Sequence, residues 1–297
     1  MISVLIPVYN YNITDLVKDI HGQISDCKVP FEIIVLEDGS SQENINKVIS
    51  SLSHLELISL KHNIGRVAAR QELCNKAKYE YLLFIDADVI PKSENYIKNY
   101  LDVLNSNYDV IYGGFAYNTI KPKPNFMLRW TYGKSNEEVP AKIRNLKPYK
   151  VTISANFLIK RKIFNLINSK IDYKGYGLDN YFGASLKSNQ IKVYHIDNEV
   201  YHIGIEESVL YIQKKEKAAE TLITLYRENK INNHQNDLLK LFKKLKRYKL
   251  NYIASGFYKI FKNLLKRNLT SSKPSIKILQ LYRISYMCYF DLNAKTI

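Results

Sequence analysis

YLLFIDADVIP, residues 81–91, sets four apolar residues in a row and then two carboxylates, Asp86 and Asp88. Leu82, Leu83, Phe84 and Ile85 read as a buried strand of a sheet covered by helices. Carboxylates delivered by such a strand need a partner, either a basic side chain or a cation. Residues two apart on an extended chain share a face, so both acids are expected to turn toward one hard cation, Mg2+ or Mn2+. The alternative is a strand-end turn with solvated acids.

Working outward, short apolar runs alternate with amphipathic ones up to about residue 120. Strands are predicted at 2–9, 31–38, 55–62, 81–88 and 109–117, and helical patterns at 13–24, 43–52, 67–76 and 94–104. Repeated β-α units of this kind predict a doubly wound α/β fold, Rossmann-like, with a mostly parallel sheet and flanking helices. Ligands bind such sheets beyond the carboxyl ends of the strands. The chain puts Tyr9 and Asn10, then Glu37, Asp38, Gly39 and Ser40, then His62, Asn63 and Gly65, then Asp86 and Asp88 at that rim.

Residues 121–150 hold four of the eight prolines and little periodicity, and are expected to form a long loop or lid carrying Trp130 and Tyr132. A strand entering a helix (151–164), a glycine-rich turn before a helix (173–189) and a final strand pair (191–204) follow. From Ser208 the composition turns helical, and between Leu238 and Phe290 there are thirteen Lys or Arg and no Asp or Glu. Ile253, Phe257, Ile260, Phe261, Leu264 and Leu265 alternate there with Lys259, Lys262, Lys266 and Arg267 as an amphipathic basic helix. The expected division is 1–205, with halves 1–118 and 119–205, and a basic helical region at 206–297.

A net charge of +16 points to an anionic partner: nucleic acid, an anionic membrane face or a phosphorylated substrate. Three scattered cysteines, Cys27, Cys74 and Cys288, exclude a disulfide framework or thiolate zinc site and suggest a reducing compartment. The chain opens directly on a strand and has no apolar run near the roughly 20 residues needed to cross a bilayer, so a cytoplasmic location is expected. Neither G-x-x-x-x-G-K-[ST] nor G-x-G-x-x-G after the first strand is present, so a nucleotide, if bound, is held another way.

PVYN (7–10), EDGS (37–40), N-x-G-x-x-x-A-R (63–70) and DAD (86–88), in this order and spacing, resemble the nucleotide-sugar half of family 2 glycosyltransferases of the GT-A fold. The resemblance covers roughly residues 1–205. It implies that Pro7 and Tyr9 line a nucleobase pocket and that Asp38 accepts a hydrogen bond from the base, usually uracil. It also implies that Arg70 supports that pocket and that Asn63 and Asp86 belong to the nucleotide-sugar site. Arg70 is placed to meet the ligand or to form a salt bridge with Asp38. The usual pattern is D-D-G-S, and Glu37 departs from it.

Downstream, GYGLDN (175–180) resembles the acceptor side, where relatives carry an acidic pair; here only Asp179 is acidic. Asp179 is the candidate base, or else a helix N-cap beside Gly177, and Asn180 with Gly177 is the candidate acceptor contact. His202 of YHIG stands where relatives carry a metal-binding histidine and is expected to join Asp88 and Asp86, or else to be a structural histidine. The resemblance thus implies an inverting transferase taking a nucleotide-diphosphate sugar, UDP-sugar favoured, to a hydroxyl of a glycan or lipid-linked acceptor. The basic region is either a solvated helical face or a peripheral anchor on an anionic membrane. Nucleic acid is not the expected partner, because the charge lies away from the rim. The rival reading is a basic nucleic-acid- or membrane-binding protein with an inactive transferase-like domain.

Overall fold

The structure, a computed structural model, describes residues 1–41, 46–173 and 175–294. In chain order it begins β1 (Ile2–Val8), α1 (Thr14–Asp26), β2 (Phe31–Glu37), β3 (Leu55–Ser59), α2 (Arg66–Lys76) and β4 (Tyr81–Ile85). β5 (Val89–Pro91), α3 (Tyr96–Leu101), β6 (Val110–Tyr112), β7 (Phe115–Ala116), α4 (Met127–Asn136) and α5 (Ala141–Arg144) follow. Then come β8 (Asn156–Lys160), α6 (Arg161–Asn168), α7 (Asp179–Ser188), β9 (Val193–His195) and β10 (Val200–His202). The chain closes with α8 (Ser208–Arg227), α9 (Asp237–Arg247), α10 (Asn251–Leu269) and α11 (Ile276–Asn293).

Two compact units divide these elements. The first takes Met1–Ala116, Val139–Lys174 and Ser188–Gly204; the second takes Tyr117–Glu138, Gly175–Lys187 and Ile205–Ile297. The second unit therefore includes two excursions from the first 205 residues, besides the C-terminal helices.

In the first unit seven strands run in the order β3-β2-β1-β4-β8-β6-β9, with β8 antiparallel to both its neighbours. The apolar runs of β1, β2 and β4 are fully buried, as a parallel sheet covered on both faces requires. Pro7 sits inside central strand β1, where proline normally breaks a ladder. Ile2 N and Val8 O both bond toward β2, so Pro7 faces the β4 side, and pairing with β4 has already stopped at Leu5. The missing N–H opens no gap, and the sheet splays here, at the end that carries the rim residues.

A second sheet, β5-β10-β7, lies in the same unit. The strand expected over 109–117 is broken between β6 and β7 by Gly113 and Gly114. A Cβ on Gly113 would lie 2.4 Å from Asn198 O, and Gly114 takes φ +99. Asn156 pins this corner: its Oδ1 accepts from the hydroxyls of Tyr96 (2.7 Å) and Tyr100 (2.6 Å), and its Nδ2 donates to Gly114 O and Asn198 O (2.9 Å each). The predicted final strand pair is likewise corrected, because β9 joins the large sheet and β10 the small one. The helix expected at 43–52 is a 3-10 turn at Lys47–Ser51, and its earlier part lies outside the described residues.

Residues 121–150 form helices in place of the expected loop. Two of the four prolines stand at helix starts: Pro124 opens a 3-10 turn before α4, and Pro140 directly precedes α5. Arg144 of α5 is fully buried and donates to Tyr112 O, Gly113 O and Ile196 O, anchoring its segment to the β6 and β9 ends.

The second unit is a helical assembly around Leu128, Tyr211, Ile212, Tyr258, Leu265, Leu269, Leu279 and Tyr282. Tyr258 of α10 lies 5.0–5.5 Å from the rings of Tyr282, Tyr286 and Tyr289 of α11, which accounts for part of the tyrosine content. The stripe expected on α10 is split. Leu265 packs inward, whereas Tyr252, Ile253, Ile260 and Leu264 are 63–75% exposed. Among the described residues no helix is long and apolar enough to cross a membrane.

Candidate active site at the carboxyl edge of the sheet

β1, β2, β3 and β4 are parallel neighbours, so their carboxyl ends share one edge. Tyr9 leaves β1 with its ring 55% exposed, an aromatic face open at the rim. Asp38, 4% exposed, is held tightly: Oδ1 accepts from Ile64 N (2.7 Å), Oδ2 from Gly65 N (3.0 Å), and its own N donates to Val8 O (2.8 Å). Asn63 Nδ2 donates to Asp38 O at 3.0 Å, so Asn63 fixes the base of the same loop. Gly39, with φ +68, lets the two loops meet backbone to backbone: a Cβ there would stand 2.4 Å from Asn63 N.

Glu37 turns inward. Its carboxylate accepts from the Ser40 hydroxyl and from the Asn46 amide. Asn46 also donates to Tyr11 O (3.0 Å) and accepts from Ile13 N (2.9 Å), while Asn10 Oδ1 accepts from Ser41 N (2.8 Å). The loops after β1 and β2 are thereby tied into one polar network, and the departure from D-D-G-S falls on a buried structural acid.

Arg70, buried on α2, pairs with Asp86, where the sequence suggested Asp38. Its Nε is buried without a partner among the described residues. The strand expected through residue 88 ends at Ile85 and residues 87–88 form a turn, so the two acids have different partners: Asp86 takes Arg70. Asp88 instead meets the second sheet. Antiparallel pairing sets His202 opposite Val89, and His202 Nε2 stands 3.6 Å from Asp88 Oδ2. Ile203 N and Gly204 N both donate to Asp88 O (3.0 and 3.2 Å). A Cβ on Gly204 would fall 2.3 Å from Asp88 Oδ2, so only glycine lets the chain close over this carboxylate.

Tyr11 is a rim residue that the sequence reading passed over; burial, and after it the Asp88 carboxylate, raise its phenol above the usual range. Gly204 was passed over too, although a glycine two residues after a strand-ending histidine was its signal.

The fit of a divalent ion rests on Asp88 and His202. Two adjacent ligands about 2.1 Å from one octahedral ion lie roughly 3 Å apart, so the 3.6 Å between Asp88 and His202 would close by about 0.6 Å on sharing one. Among the described residues no three His, Cys, Asp or Glu side chains converge on a metal site. An ion here would take its remaining ligands from substrate oxygens and water.

The acceptor-side candidates belong to the second unit. Asp179 is the first residue of α7. Gly177 takes φ +90, and a Cβ there would come within 3.0 Å of Ala218 on α8. Asn180 Nδ2 donates to Gly177 O (2.9 Å) and its Oδ1 accepts from Asn236 (2.6 Å), so its amide is engaged within the unit.

Residues 3–167 match the family model for glycosyl transferase family 2. The chain belongs to that family, and its first unit has the GT-A fold, with a mostly parallel sheet flanked by helices. Among curated relatives, a dolichyl-phosphate beta-glucosyltransferase of Dictyostelium discoideum is 34% identical over 101 residues, covering 29% of this chain and 30% of the relative. An undecaprenyl-phosphate 4-deoxy-4-formamido-L-arabinose transferase of Yersinia enterocolitica is 29% identical over 117 residues, 37% of this chain and 35% of the relative. The match spans less than half of these relatives' length, as it does for an uncharacterized glycosyltransferase of Haemophilus influenzae (48%). Of solved structures, the mannosyltransferase PcManGT of Pyrobaculum calidifontis, in complex with GDP-Man and Mn2+, aligns over 76% of this chain and 64% of its own (TM-score 0.53, 14% identity). S. aureus TarS 1-349, in complex with UDP-GlcNAc, aligns over 98% of this chain and 91% of its own (TM-score 0.51, 16% identity). These likenesses are of fold.

Proposed function

We infer that this protein is an inverting glycosyltransferase that moves a sugar from a nucleotide-diphosphate sugar, UDP-sugar favoured, to a hydroxyl of a glycan or lipid-linked acceptor. The observation that carries this reading is the single edge on which Tyr9, Asp38, Arg70, Asp86, Asp88 and His202 come together. Tyr9 offers a stacking face for the base, and Asp38, locked by two backbone N–H groups, keeps lone pairs for the uracil N3–H. Arg70 holds Asp86 and keeps its Nε for the nucleotide-sugar. Asp88 and His202 would hold Mn2+ or Mg2+, which supplies positive charge to the departing diphosphate. Asp179 at the head of α7 is the proposed base, taking the proton of the acceptor hydroxyl.

A peripheral seat on an anionic membrane fits the same reading. The outward side of α10 presents Ile253, Ile260 and Leu264 beside Lys259 and Lys262, apolar residues for the acyl boundary and cations for headgroups. A cytoplasmic setting accords with the free cysteines.

Titration calorimetry with UDP, GDP and dTDP, each with and without Mn2+, tests the donor site. Metal-dependent binding of one nucleotide, lost in Asp88→Ala, is the expected result. Absence of binding for all three would overturn the reading.

A further inference from the structure

Two cations of the second unit, Arg129 from α4 and Lys215 from α8, meet at the ring of Tyr211, and the charge of a third, Arg283 from α11, reaches both Lys215 and Tyr211. Tyr211 marks the centre. The Arg129 guanidinium carbon lies 5.2 Å and the Lys215 Nζ 4.7 Å from its ring centroid, and Lys215 Nζ is also 4.5 Å from that of Tyr132. Burial, and after it the Arg283 guanidinium, push Lys215 down to about 7.

The negative charge available does not balance this group. Glu137 takes Arg129 (3.0 Å) and the Tyr117 hydroxyl, and Glu206 takes Lys214 (3.2 Å). Among the described residues neither Lys215 nor Arg283 forms an ion pair, and the side-chain bond of Arg283 goes to the neutral Gln280 (3.0 Å). Donors are left over as well. Arg129, 6% exposed, has a buried Nη1 without a partner among the described residues; Arg283 Nε and the hydroxyl of Tyr211, 3% exposed, are in the same condition. Buried polar groups are normally satisfied, and like charges are normally kept apart. A junction that breaks both rules at once is shaped for an anion that the chain does not itself supply.

We propose that this junction binds a phosphate group, with Arg129 Nη1, Arg283 Nε, Lys215 Nζ and the Tyr211 hydroxyl donating to its oxygens. Donors arriving from three helices suit a tetrahedral oxyanion better than a planar carboxylate, and two cations without ion pairs match the charge of a phosphate ester. Assigning that phosphate to the acceptor rests on the transferase reading; the phosphate site does not. Anion binding restores full protonation of Lys215, so affinity falls as pH rises through about 7, with Arg283, Arg129, Glu137 and Glu206 the other charges facing it.

The test is calorimetry on the full chain in EDTA with inorganic phosphate, and separately with a short polyprenyl phosphate in detergent. Wild type and Asp88→Ala should bind alike, because the donor site is not involved; Lys215→Met should bind at least tenfold more weakly. Heat from wild type should differ between buffers of different ionisation enthalpy at pH 8, reporting the proton taken up. Lys215→Met, which relieves a buried like-charge contact, should melt no lower than wild type, so lost binding is not lost folding. Binding of both probes assigns free phosphate chemistry, and binding of the lipid alone assigns a headgroup with its chain; either supports the site. No binding of either probe, or equal binding by Lys215→Met, overturns it. Loss of UDP binding with phosphate binding intact would sink the transferase reading alone.

Discussion

At the scale of single residues, Asp88 and Glu37 show how two acids on one rim take opposite roles. Asp88 packs against Gly204, where a Cβ would fall 2.3 Å from its Oδ2. Gly204→Ala should therefore lower metal-stimulated turnover at least tenfold while shifting the melting temperature by only a few degrees; unchanged turnover would show that the carboxylate has room to move. Glu37 accepts two hydrogen bonds inside the protein, and Glu37→Ala strands the Ser40 and Asn46 donors. That should cost about 1–3 kcal/mol by denaturant unfolding, with loss of activity following from looser loops. The positions were legible in the sequence: motif spacing picks out Asp38, Arg70, Asp86 and Asp88 as candidates, and the three acids stand just past the ends of β2 and β4. The partners were not. Arg70 pairs with Asp86, and the strand gives way to a turn at 87–88; a turn inside an apolar-then-acidic run carries no periodic signal.

Among elements, the helices and the parallel strands were readable because burial imposes their periods on the sequence, whereas β5, β7, β9 and β10 have only two or three residues each, too few to show one. Their sheet assignment is decided by long-range bonds such as those of Asn156. The 121–150 segment misled for a related reason: prolines end helices and also begin them, and composition alone does not say which. The split stripe of α10 makes a distinct prediction. Ile253→Asp with Ile260→Asp, at positions 70% and 75% exposed, should leave stability within about 0.5 kcal/mol and abolish sedimentation with anionic vesicles. Retained sedimentation would move the membrane contact elsewhere.

The stability of the whole molecule should depend on pH through His195. This histidine is 1% exposed; Arg144 Nη1 donates to its Nδ1 (2.8 Å), so its proton sits on Nε2 and goes to Pro148 O (2.9 Å). Burial, and after it the Arg144 charge, push it down to about 4 from 6.5. The unfolded chain then binds a proton the native one refuses, so this contribution is full above pH 6.5 and fades as pH falls toward 4. It is worth about 3 kcal/mol, and denaturant midpoints measured across that range should drop in wild type and flatten in His195→Gln. The division into two units was only partly foreseeable, since residues 117–138 and 175–187 leave the first unit and return to it later. That threading governs the order in which a nascent chain can fold. When residue 116 has left the ribosome, β3, β2, β1 and β4 can pair, yet β4 presents an open edge until β8 arrives some forty residues later. The large sheet then waits for β9, and the small one for β10. An emerging polypeptide of this kind carries an unpaired strand margin, open to other chains, until β8 has been made.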